Sequence, residues 1–197
     1  RNTIDLNIKE WKRFFKDKYD EEHLKKIIYR QGDFKGYLEE LKNLQSKKQK
    51  NIEIDQNEKE FIKYLEYSLN LESYLSSLIE DPWGYDPIVK DADLQNKMVN
   101  NANKLLLSVK NNFIKERLNY QLIKLHRYYG SYDKAVKIFE NNFNGKNSFI
   151  SYWAMDQYAG VLRYLNRIKE SNYYFSKVYI KCPSKRASAY LSIDIKN

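Results

Sequence analysis

Cysteine occurs once, at Cys182, so the chain forms no internal disulfide and builds no cysteine-based zinc site. Proline occurs three times and glycine six times. A many-stranded sheet needs a turn at each strand end, and so few breakers leave little material for such turns. The expected class is therefore all-α. Apolar runs of ~18 residues are also missing, so no segment reads as a membrane span. The two histidines, His23 and His126, lie in separate segments and lack metal-ligand spacing. There is no glycine-rich phosphate loop, no GxSxG and no signal-peptide pattern.

What is abundant is aromatic and basic. The sequence has 18 tyrosines and nine phenylalanines. Together with many Asn, Lys and Ile residues, these read as the mark of an A/T-rich genome rather than of a stacking surface. The net charge is +9 and is uneven. Residues 1–50 carry 14 basic and nine acidic side chains, residues 51–100 four and 11, and residues 101–197 17 and six. The surplus of +11 in the last segment favours an anionic partner there: an acidic peptide, a carboxylate terminus, a nucleic acid or an anionic surface. The alternative is a solvated basic face.

Helical spacing is visible along the chain. Ile8, Trp11, Phe14, Phe15 and Tyr19 share one stripe within residues 8–19. Asp20 reads as an N-cap followed by Glu21 and Glu22, with Leu24, Ile27 and Ile28 buried. Residues 21–45 are expected to form a degenerate hairpin turning at Gly32-Asp33-Phe34. The polar stretch 45–51, with Lys47, Lys48 and Lys50, reads as an exposed loop. A long helix runs from Glu58 to Leu78, and Pro82, Gly84 and Pro87 forbid its continuation. Asp91 or Asp93 starts another helix through Leu107. The expected organisation is residues 1–50 as N-terminal helices, 51–111 as a long helical pair, and 112–197 as repeats.

Those repeats are the strongest pattern. Leu118–Phe143 aligns without a gap on Ala154 and the residues after it when shifted by 36 positions. Phe139 falls on Phe175, Ala135 on Ser171, Tyr132 on Ile168, Gly130 on Asn166 and Ile123 on Ala159. A fixed period of this size means stacked antiparallel helical hairpins. Their helices are expected near 114–129, 133–142, 149–165 and 169–180, with a third unit starting near Lys185. The chain begins at Arg1, and its last residues continue a helical pattern. This reads as a piece of a longer protein, cytoplasmic, or exported to the periplasm or cell surface if a signal was removed.

These segments resemble tetratricopeptide repeats (TPR). The first supplies Gly130, Tyr132, Ala135 and Phe139, and the second Ala159, Ser171, Phe175 and Pro183. The departures are Ile123, Ile168 and Asn147, where a small residue, an aromatic and a proline are usual. The whole chain also resembles repeat proteins of bacteria. The resemblance implies a right-handed α-solenoid, or superhelix, whose first helix in each hairpin lines a concave groove.

That groove is expected to hold Arg117, Tyr120, Lys124 and Arg127 from the first repeat. Their 3, 4, 3 spacing puts them on one helix face. The 36-residue shift adds Trp153, Asp156, Gly160 and Arg163, and the third unit adds Arg186. Cations with flat aromatics suit a carboxylate or phosphate. The alternative for these side chains is ordinary solvation, with Trp153 packed on a neighbouring helix. Cys182 at a helix end reads as structural, and the acid pairs at helix ends read as caps. The expected function is a non-catalytic protein- or peptide-binding scaffold without a cofactor. Nucleic-acid or polyanion binding through the basic C-terminal half is the alternative.

Overall fold

The structure, a computed structural model, describes residues 5–29, 55–76, 78 and 90–193. Among the described residues it is helical, with no strand. The chain divides into two compact units, Arg1–Glu66 and Tyr67–Asn197. The expected hairpin turn at residues 32–34, the basic loop 45–51 and the proline-rich break at 82–87 lie outside the described residues.

The first unit contains α1 (Leu6–Phe14), α2 (Glu21–Ile28) and the start of α3 (Gln56–Ser76). Asp5 caps α1 by accepting from the Ile8 amide at 3.1 Å. The stripe read over residues 8–19 is not one helix. It stops at Phe14, and Lys16 and Asp17 take left-handed φ values of 52° and 61°. Their amides bond back to the Arg13 and Lys12 carbonyls, each at 3.0 Å, which closes the helix end. The reversal lets Phe15 meet Phe61 edge-on at 4.9 Å and brings Tyr19 and Lys18 to the Glu58 carboxylate. Trp11 is buried against Phe61 and Tyr64, at 4.8 and 5.7 Å between ring centres.

Asp20 caps α2, as its sequence indicates, accepting from the His23 amide at 2.7 Å. Asp55 and Glu58 cap the start of α3 reciprocally, each side chain accepting from the other's amide at 2.9 Å. Burial raises the Glu58 carboxyl's pKa, but hydrogen bonds from Lys18, Tyr19 and the Asp55 amide together hold it below the ordinary value.

The second unit holds the rest of α3, then α4 (Ala92–Ser108), α5 (Asn112–Tyr129), α6 (Tyr132–Asn142), α7 (Phe149–Tyr164), α8 (Ile168–Lys181), a 3₁₀ turn (Pro183–Lys185) and α9 (Arg186–Ser192). Asp91 caps α4, Asn111 caps α5, and Ser148 with Ser151 forms a capping box at α7. Helix α4 packs on α5, α5 on α6 and α7, α6 on α7, α7 on α8, and α8 on α9.

The 36-residue period is visible in the backbone. Gly130 and Asn166 are both left-handed, with φ of 98° and 58°. The Ser131 amide bonds to the His126 carbonyl at 2.8 Å, and the Arg167 amide to the Leu162 carbonyl at 2.9 Å, the same bond one period on. The core repeats too. Ala135 and Ser171 are fully buried, and the Ser171 hydroxyl donates to the Ala159 carbonyl at 2.8 Å. Phe139 stacks on Tyr158 of α7 at 4.1 Å and meets Tyr174 of α8 edge-on, so it fills the space between successive helix pairs. Cys182 is buried in the same cluster.

Candidate functional site

Helix α7 decides what the expected groove becomes. Residues 154–162 are buried without interruption, so no broad polar face of this helix is left open. Helix α5 covers one side of it and α8 another. The face carrying Trp153, Asp156 and Gly160 is therefore narrowed by its neighbours.

The predicted side chains do not all meet. Arg117 is almost fully buried, with its guanidinium 3.5 Å from the Phe113 ring centre, a core placement over an aromatic face. Arg163 reaches from α7 to the last carbonyl of α9, at Ser192, and lies 5.6 Å from the Phe175 ring centre. It serves as a C-terminal cap. Arg186 is exposed and turns to α8, where its Nε donates to the Tyr179 carbonyl at 3.1 Å.

The remaining five converge. Lys124 Nζ lies 5.8 Å from the Tyr120 ring centre, and Tyr120 is tilted against Trp153 at 5.8 Å. Arg127 Nη1 donates to Gln157 Oε1 at 2.7 Å. Its guanidinium lies flat over Gly160, where a Cβ would stand 2.5 Å from Arg127 Cζ. The small residue is thus used for close approach of a cation. Asp156 is buried, and burial raises its carboxyl pKa, opposed by Lys185 and then by Arg127.

Two members come from a place the repeat register does not highlight. Lys185 Nζ sits 3.7 Å from Asp156 Oδ2 and 5.6 Å from the Trp153 ring centre. The Trp153 Nε1 donates to Ser184 Oγ at 3.1 Å. The signal was Pro183: its missing amide and fixed φ end α8 and start the 3₁₀ turn, which returns Ser184 and Lys185 to α7. The result is a line of cation, ring, ring and cation: Lys124, Tyr120, Trp153, Lys185. Both lysines and Trp153 are half-buried.

Among the described residues, no group of three or more His, Cys, Asp or Glu side chains converges as a metal site, and no helix is long and apolar enough to cross a membrane. Comparison with protein-family models, with curated proteins and with solved structures finds no match.

Proposed function

We propose that the chain is a non-catalytic scaffold, a tetratricopeptide-like right-handed solenoid of antiparallel hairpins that holds an acidic peptide segment of a partner protein on its α5–α7 face. The observation that carries this reading is the line Lys124–Tyr120–Trp153–Lys185, with successive spacings of 5.8, 5.8 and 5.6 Å. The hairpin part rests on the repeated left-handed turns, the matching hydrogen bonds and the burial of Ala135, Phe139, Ser171 and Phe175 in register.

The chemistry follows from the geometry. Carboxylates of the peptide reach the two ammonium groups, and an apolar side chain between them lies on the two rings. Each charge-assisted bond contributes about 1–3 kcal/mol where water is largely excluded. Lys185 is held by Asp156 only at 3.7 Å, longer than a direct hydrogen bond, so a partner carboxylate competes on good terms.

Trp153 is the natural reporter. A glutamate-rich peptide with a free carboxyl terminus should change the tryptophan emission saturably, and Trp153→Phe should remove that change while leaving the spectrum of the other tryptophans. An unchanged emission in the wild-type chain at saturating peptide contradicts the reading.

Nucleic acid remains the second reading, carried by the +11 surplus of residues 101–197. It predicts a steep loss of affinity with salt, with a slope of about −0.9 per neutralised phosphate on duplex DNA. The peptide reading predicts a shallow slope, because the rings contribute without counterion release.

A further inference from the structure

Tyr190 and Leu191 lie on the outer side of α9 and are 60% and 82% exposed. One period earlier the same register holds Ala154 and Met155, and Leu118 stands two periods before Tyr190. All three are buried. The Tyr190 series stays apolar and loses its cover; the Leu191 series runs from half-buried Asn119 through buried Met155 to exposed Leu191. Helix α8 behaves alike: Tyr179 is exposed, while its counterpart one period earlier, Phe143, is fully buried. Ile180 beside it is 63% exposed. The Tyr179 and Tyr190 rings, 6.0 Å apart, join the exposed apolar residues of the two helices into one surface.

Helices cover the earlier register: Ala154 and Met155 lie in one core cluster with Tyr120, Ala135 and Phe139 from the helices before α7 and with Phe175, Val178 and Cys182 from the helix that follows it and its end. We infer that the α8–α9 surface receives an amphipathic helix of a partner protein, laid over α9 as α8 lies over α7, with acidic residues flanking its apolar stripe.

Charge selects this occupant. Residues 171–193 carry Lys177, Lys181, Lys185 and Arg186 and no carboxylate. Lys177, Lys181 and Arg186 are exposed. A second copy of the chain would bring the same cations against these, a like-charge juxtaposition that opposes self-association. An acidic helix meets opposite charge at the rim and apolar contact in the middle, the usual arrangement of a helix held in a groove. The inference stands on the register and on burial, and does not require the α5–α7 face to bind anything.

The test uses the whole chain and a labelled helical peptide of about 20 residues. Its apolar positions copy the spacing of Ala135, Phe139 and Phe143, and its other positions are mostly glutamate. A version with lysine for glutamate and a scrambled version serve as comparisons. Fluorescence anisotropy should show saturable binding of the acidic peptide alone. Tyr190→Ser with Leu191→Ser should weaken it at least about tenfold, and Ile180→Ser should weaken it severalfold. These positions are exposed, and circular dichroism should report an unchanged fold. Lys137→Met, at an exposed cation of α6, should leave the affinity unaltered, and sedimentation should show the peptide-free chain as a monomer.

Equal binding of the lysine or scrambled peptide overturns the inference. So does unchanged affinity in the surface variants, a loss caused by Lys137→Met, or no saturation up to about 1 mM peptide. A peptide-free dimer that Leu191→Ser dissolves would assign the surface to a second copy instead.

Discussion

At the scale of single residues, His126 shows burial winning over helix polarity. It sits in the last turn of α5, where the helix dipole favours a cation. Yet burial, helped by Lys134, holds its pKa down to about 4. Its Nδ1 is buried with no hydrogen-bond partner among the described residues. The unfolded imidazole takes a proton near pH 6.5, and the folded one resists until about 4. Stability is therefore intact above the unfolded value and falls as pH drops through this window, by roughly 3 kcal/mol in all. Denaturant titration between pH 7 and 4 should record the fall, and His126→Leu should flatten it. The depressed carboxyl of Glu58 adds its own loss only below the ordinary glutamate range. Asp156 offers a second residue-scale prediction. Asp156→Asn removes the carboxylate that engages Lys185, so affinity for an acidic peptide should rise severalfold in the Trp153 emission titration. A fall in affinity would mean that Asp156 orients Lys185 for binding instead of competing.

At the scale of elements, the turns after α5 and α7 carry the period. Gly130 at φ of 98° tolerates no side chain without strain, so Gly130→Ala should cost about 1–2 kcal/mol. Asn166 occupies the equivalent position at φ of 58°, and Asn166→Gly should change stability by less than about 1 kcal/mol, in the stabilising direction. Thermal unfolding resolves both, at about 2–4 °C per kcal/mol for a chain of this size. The bounds of α5 to α8 were legible because breakers and apolar spacing agree there: Gly130 and Pro183 punctuate strong 3.6-residue stripes. The end of α1 was not legible. Phe15 and Tyr19 keep helical spacing, but a reversal at Lys16 and Asp17 buries Phe15 and half-buries Tyr19, and Lys16 does not announce a left-handed turn. The site was half legible. Periodicity placed Tyr120, Lys124, Arg127, Trp153 and Asp156 on facing sides of two helices, but it carries no information about Arg117 sinking into the core or Lys185 returning through a turn.

At the scale of the whole molecule, a positive surplus is separated from a negative segment along the sequence, and the surplus coincides with the repeats. Most of the repeat-half guanidinium groups named from sequence have structural work: Arg117 over Phe113, Arg127 on Gln157, Arg163 on Ser192. The cations beside Tyr120 and Trp153 are lysines, Lys124 and Lys185. This divides the basic residues into those that meet a peptide and those that brace the helices. The most direct measurement is calorimetric titration of a glutamate-rich peptide into two variants of the chain. Lys124→Met with Lys185→Met removes both ammonium groups while keeping apolar stems on the rings, and should weaken binding by about 10- to 100-fold. Arg163→Met, which removes the bond to Ser192, should lower thermal stability and leave the affinity within about twofold. Unchanged affinity in the lysine pair, or a larger loss in Arg163→Met, would contradict this division.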